Sequence, residues 1–311
     1  MSVRKIVALI VVQIPLLVFG QDSPISQWGN NMLQANPSLA GSAKAIRTNL
    51  FYRNQWHKSE AKFQYYGVNV DMPIGDKMGV GISVNNEQAM AFSRPNLFAS
   101  YSYSTLINHN SAVYYGIKLG LLQEFVRAGD LIFEQPEFVP NKSSGVRVDA
   151  GIGVSAIIKQ LFATLTVEHL TKPYQGFSLT NESRMGVKWT IGVAYTYKFS
   201  TLTKKNSVEI MPNMLFQQQK TQQNLQIGVI TQVNYLQFGV QCRKNMNIDM
   251  PTTSILFGYK NLDFRLVYSY DIETSYKTSK MGNTHEVSLT KLFNINKEKQ
   301  RKVIECPSFL R

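Results

Sequence analysis

The chain offers few residues that could carry out chemistry. Its four histidines, His57, His109, His169 and His285, fall on different strands or turns, without the short spacings that bring two or three ligands to one metal. Neither a G-x-S-x-G elbow nor a phosphate-binding P-loop occurs. Outer-membrane hydrolases with a Ser–His pair exist, and both residue types are present, but nothing local joins them. No catalytic residue, metal ligand or cofactor is therefore expected. What remains is a set of charged residues: Asp149, Glu168, Asp263 and Asp271 share one expected face with Arg147 and Arg265. Such a face can line a pore as a selectivity ring. It can also pair off internally, because inward polar groups of a narrow barrel must find partners. Internal ion pairs are the preferred reading.

The elements that position these charges are strands. In Gly186–Ser200, Val187, Trp189, Ile191, Val193, Tyr195, Tyr197 and Phe199 fall on one side, and Lys188, Thr190, Gly192, Ala194, Thr196 and Lys198 on the other. A period of two is a β-strand, since successive side chains point to opposite faces. One face is apolar with aromatics towards both ends; the other is small or cationic. That suits a wall between lipid and a wet lumen. The pattern recurs in Lys77–Asn86, where Met78, Val80, Ile82 and Val84 oppose Gly79, Gly81, Ser83 and Asn85. It returns in Ser144–Lys159, Asn224–Asn234 and Leu262–Ile272, among a total of fourteen candidate strands between Ala45 and Phe293. The connections alternate between tight turns and longer loops such as Glu87–Pro95, Val126–Ser143, Thr171–Met185 and Gln218–Gln223. A meander with short turns at one rim and long loops at the other is the arrangement of outer-membrane barrels. The fold class is therefore all-β: a transmembrane antiparallel up-and-down β-barrel of about 14 strands, with an irregular N-terminal arm and a short C-terminal tail. An even strand count puts both termini on the short-turn, periplasmic side.

The remaining segments divide as follows. Residues 1–20 read as a signal peptide: Arg4 and Lys5 precede an apolar run, and Val18 and Gly20 stand at the −3 and −1 positions of a cleavage site. Residues 21–43, with Pro24, Pro37, Gly29 and Gly41 and no periodicity, form the arm. Residues 44–294 form the barrel and 295–311 a basic periplasmic tail. Beyond Gly20 no apolar run reaches the roughly 18 residues of a spanning helix. The net charge of +13, or +11 without Arg4 and Lys5, suits lipid phosphates or an acidic partner without identifying either. Nothing points to nucleic acid or to a small-molecule substrate. Cys242, beside Phe238 and Val240, reads as a small hydrophobe on the lipid face; a disulfide with Cys306 is possible but not required.

The arm is the most specific part of the sequence. QDSPISQW and then NPSLAGS resemble the start of the PorP/SprF family, at Asp22, Ser26, Gln27, Asn36, Pro37, Ala40, Gly41 and Ser42. The first strand continues with YRNQW, similar to the family's pattern at Tyr52, Arg53, Gln55 and Trp56, and the chain ends in a CPSF-type tail. The departures are Ser23-Pro24 after Asp22, Ile25 for an aromatic and Ser38 for alanine. The resemblance implies an outer-membrane barrel of the type IX secretion system of Bacteroidetes. Its partners would be lipid and other secretion components, either the periplasmic ring or a secreted adhesin, as in gliding bacteria. On that basis Asp22, Ser26, Gln27, Asn36, Pro37, Ala40, Gly41, Arg53, Gln55 and Trp56 are candidate partner-binding residues. The arm is expected at the periplasmic mouth or inside the lumen, where it either presents a surface or seals the barrel. The competing function is a porin-like diffusion channel, which the polar inner face alone supports.

Overall fold

A computed structural model describes residues 22, 25–59, 62–127, 142–176, 183–200, 207–247, 251–274 and 281–293. The proposed signal peptide, the tail and Cys306 lie outside the described residues.

Fourteen antiparallel strands close on themselves. They are β1 (Ile46–Gln55), β2 (Phe63–Ile74), β3 (Met78–Ala89), β4 (Phe92–Asn108) and β5 (Ser111–Leu122). Then come β6 (Arg147–Ile158), β7 (Leu161–Glu168), β8 (Lys188–Tyr195, continued by Tyr197–Ser200), β9 (Ser207–Gln219) and β10 (Gln222–Val233). The last are β11 (Leu236–Asn245), β12 (Thr252–Lys260), β13 (Phe264–Glu273) and β14 (Thr284–Phe293). Each strand pairs with its neighbours in sequence, and β1 pairs with β14 from Ile46↔Phe293 to Asn54↔His285. No edge strand is left, so no row of unpaired backbone groups faces hydrocarbon. A short pair, Phe125–Val126 with Lys142–Ser143, extends the wall next to β4.

The side chains are distributed inside out relative to a soluble protein. Leu50, Ile82, Leu97, Ile117, Leu119, Ile191, Ile227, Val240 and Phe257 are exposed on the outer wall, and Cys242 is exposed beside them. Arg47, Asn49, Arg53, Asn69, Asp71, Asp149, Thr166, Ser269, Asp271 and Glu286 are buried within. An apolar outer wall around a polar interior is the distribution that a membrane-spanning barrel requires.

Two connections depart from the expected asymmetry. Glu87–Pro95 and Gln218–Gln223 are not long loops: the strands run on through them and turn on two residues each, Met90-Ala91 and Lys220-Thr221. Positive φ at Met90 (48°) and Lys220 (52°) supplies the tight reversal. Polar strand ends such as Glu87, Gln88, Gln217 and Gln218 resemble loop composition, but ladder pairing absorbs them. Asp263 falls just outside the strand expected to carry it. β13 begins at Phe264, and Asp263 lies in the preceding turn. The strand ends Ile46 and Phe293 meet at the short-turn rim, whereas the arm's first described residue, Asp22, contacts residues at the other rim.

Candidate functional site

The arm fills the lumen and is attached to its wall at four levels. At the short-turn end, Arg47 of β1 makes a two-point contact with Asp71 of β2, Nε to Oδ1 at 2.8 Å and Nη2 to Oδ2 at 3.0 Å. The same Nη2 donates to the carbonyl of Leu39 at 3.0 Å, and Gly41 N donates to Asp71 Oδ2 at 2.7 Å. Gly41 has φ +66°, and a Cβ there would stand 2.8 Å from Gly79 Cα. Glycine is needed both for the turn and for the approach.

The middle of the arm is a helical turn, Met32–Ala35, followed by a 3-10 turn, Pro37–Leu39. Asn36 caps the second: its Oδ1 accepts from Ser38 N at 2.8 Å. Proline fits the first helical position because its missing N–H would have no partner there. The other end of the Asn36 amide donates into the wall, to Thr164 Oγ1 at 2.6 Å and to the Leu165 carbonyl at 3.0 Å. Gly116 and Gly153, partners across β5 and β6, make room for this contact. A Cβ on Gly116 would overlap the backbone of Ser38, and one on Gly153 would overlap Asn36 Oδ1. Beside them Trp28, Met32 and Leu39 pack on Ala112, Tyr114, Ile157, Phe162, Ala194, Met211 and Leu215, an apolar seat within the otherwise polar lumen.

Further along, Ser26 and Gln27 meet a buried ion-pair cluster. Arg53 Nη1 lies 2.9 Å from Asp271 Oδ2 and 2.8 Å from Glu286 Oε2. Ser26 Oγ donates to Asp271 Oδ2 at 2.6 Å, and the backbone N–H groups of Ser26 and Gln27 donate to the Glu286 carboxylate at 3.0 and 3.1 Å. At the long-loop end the Asp22 carboxylate sits among Lys188 Nζ (3.1 Å), His169 Nε2 (2.9 Å) and Arg94 Nη2 (3.6 Å). His169 Nδ1 faces Asp149 Oδ2 at 2.6 Å, so both ring nitrogens donate to carboxylates. Burial alone would lower the His169 pKa, but Asp22 and Asp149 together raise it to about 9. Burial would raise that of Asp22; Lys188 and His169 outweigh it and hold the carboxyl well below its usual range.

Comparison with known proteins now adds the family. The description "Type IX secretion system membrane protein PorP/SprF" matches residues 17–290. The chain belongs to the PorP/SprF family. No curated protein matches it. Among solved structures it is similar to the Pseudomonas putida toluene transporter TodX, with a TM-score of 0.47 and 11% identity over 86% of this chain and 95% of that one. It is also similar to the KdgM porin, with a TM-score of 0.36 and 9% identity over 79% and 99% of the two chains. A Pseudomonas aeruginosa FadL homologue gives a TM-score of 0.40 and 9% identity over 80% and 89%.

In this PorP/SprF chain the motif residues cluster only in part. Asp22, Ser26, Gln27, Asn36, Pro37, Ala40 and Gly41 line one continuous path through the lumen. Arg53 meets the arm through Ser26 Oγ at 3.0 Å. Gln55 ends β1 at the long-loop rim, and Trp56, the next residue, turns the chain with φ 57°. Among the described residues, hydrogen bonds join Arg53 to the arm but not Gln55 or Trp56. Of the charged set, Asp149, Glu168, Asp271, Arg147 and Arg265 point inward or to the mouth, and Asp149, Glu168, Asp271 and Arg147 are ion-paired. Sequence reasoning missed Asp71, Arg94, Lys188 and Glu286 as arm contacts, and also the apolar seat. A signal for the seat was present. Tyr114-Tyr115, Ile157-Ile158, Leu161-Phe162 and Leu215-Phe216 break the alternation, and two apolar neighbours in a strand put one of them inside.

Proposed function

We propose that this PorP/SprF chain is a plugged outer-membrane barrel that supports export or surface anchoring of secreted proteins, adhesins among them. It acts by holding polypeptides rather than by catalysis or conduction. Its outer wall meets lipid, its last strand ends on the periplasmic side while the arm threads the lumen from Asp22 at the opposite, long-loop mouth, and its partners are other secretion components or the secreted adhesin. The observation that carries this reading is the arm. Residues 26–42 occupy the lumen with Ser26, Asn36, Ser38 and Ala40 almost wholly buried, tied to the wall by hydrogen bonds, that of Ser26 to the Glu286 carboxylate among them. A diffusion channel needs a continuous wet path, and a polar inner face spent on an internal segment does not provide one. The motif residues then serve partners indirectly, by fixing the rim surfaces that the arm and loops form.

The test pairs two measurements on the full chain and on a variant lacking residues 21–38. In planar bilayers the full chain should give no steady conductance, and the deletion should open a pore. In pull-downs from outer-membrane extracts, the full chain should retain secretion components that the deletion loses. A full chain that conducts steadily would instead favour the porin-like channel.

A further inference from the structure

The plug ends in a site that the plugging role does not require. Around Asp22 the described residues of the wall supply four cations, Arg94, Lys118, Lys188 and doubly donating His169, and three carboxylates, Glu87, Glu168 and Asp149. Each wall carboxylate has a wall partner. Glu87 pairs with Arg94, Glu168 with both Lys118 and Lys188, and Asp149 with His169. The fourth carboxylate comes from the arm. Lys188, His169 and Arg94 reach it from β8, from the loop after β7 and from β4. Beside it is a cavity of about 50 Å³, bordered by Ile25, Tyr65, Arg94, Lys118, Glu168 and Lys188. The Asp22 and Lys188 side chains are each 15% exposed, so solvent reaches the site.

We infer that the long-loop end of the lumen is a carboxylate receptor whose resident ligand is the chain's own Asp22, and that it accepts a small carboxylate when that side chain is absent. Three donors fixed on separate elements converge on one point. They keep their positions without Asp22, because Glu87, Glu168 and Asp149 hold them. The wall alone then has one more cation than anion in a largely buried place, where an unpaired charge is costly. A free anion restores the balance, provided it is small. The cavity together with the volume of the lost CH₂COO⁻ group favours formate or acetate over a branched carboxylate, since Tyr65 and Ile25 border it. Binding is a proton-neutral exchange of one carboxylate for another, with no bond made or broken.

The experiment uses the full chain in detergent micelles and reads the temperature at which the compact, fast-migrating form is lost on gels. Asp22→Gly should lower that temperature. Formate should restore more than half of the loss, pivalate at the same ionic strength should not, and the wild type should respond equally to both. Asp22→Gly combined with Lys188→Met, which removes the surplus cation, should lose the formate response. Should Asp22→Gly fail to fold, its refolding yield in formate against pivalate reads the same quantity. The inference is overturned if formate and pivalate act alike on Asp22→Gly. That would be the result if His169 simply sheds its proton, or if only ionic strength matters. A wild type that responds to formate as strongly as the variant overturns it equally.

Discussion

Arg53 and Glu286 are direct partners across the seam where β1 closes on β14, and Arg53 Nη1 lies 2.8 Å from Glu286 Oε2. The carboxylate so placed also accepts from the backbone N–H groups of Ser26 and Gln27, at 3.0 and 3.1 Å. Barrel closure and attachment of the arm therefore share one ion pair. Gln27 strengthens the same join: its Nε2 donates to the Glu286 carbonyl at 3.0 Å, and its Oε1 accepts from Ser288 Oγ at 2.6 Å.

Replacing Arg53 by methionine should leave Asp271 and Glu286 buried with one less cation. Arg243 is a second cation nearby, 3.6 Å from Asp271. Removing one partner of a buried pair costs about 3–5 kcal/mol. Urea unfolding from micelles should show a loss of that order, and Arg53→Lys should recover part of it. A loss within the few tenths typical of surface positions would mean the cluster holds nothing.

Gly116→Val should push the arm away from β5. The atom it would meet is the backbone of Ser38, which cannot rotate aside as a side chain could. Overpacking of this kind costs about 1–3 kcal/mol. Limited proteolysis should cut the variant between Ser26 and Ser42 while the strands stay protected. An uncut arm would show that the wall yields instead.

The His169 contact should make stability depend on pH. Its folded-state pKa is raised from 6.5 to about 9, so its contribution is complete below pH 6.5 and is lost as pH rises through about 9. Asp22 has the opposite sign. Its pKa is lowered from 3.8, so its contribution is present above that value and is lost as pH falls through the lowered one. The charges facing His169 are Asp22, Asp149 and Glu168. Across pH 6.5 to about 9 the wild type should lose unfolding temperature relative to His169→Gln. Parallel curves for the two proteins would refute the linkage.

Ile117 and Leu119, mid-strand in β5, are 51% and 57% exposed. If that face meets hydrocarbon, Ile117→Arg should cost about 2–4 kcal/mol when the barrel refolds into lipid vesicles. Lys118, between them, points inward to Glu168, so the two faces of one strand differ completely in what they tolerate. A neutral outcome for Ile117→Arg in vesicles would place that face in water.

Strand number, face assignment and closure were legible in the sequence because a period of two is local: Met78 through Val84 declare their side of the wall without reference to any other strand. The arm's motif was legible too, as an irregular Pro- and Gly-bearing stretch with a familial resemblance. Its place in the lumen was not. The arm has no periodicity, and its partners are remote in the chain: Ser26 bonds Glu286 across 260 residues and Asn36 bonds Thr164 across 128. Only closure of the sheet brings Arg53, Asp271 and Glu286 to one level. Only the space left by Gly116 and Gly153 lets Asn36 and Ser38 rest against the wall. Alternation fixes which way a side chain points, whereas which inward-pointing groups meet depends on strand register around the whole ring.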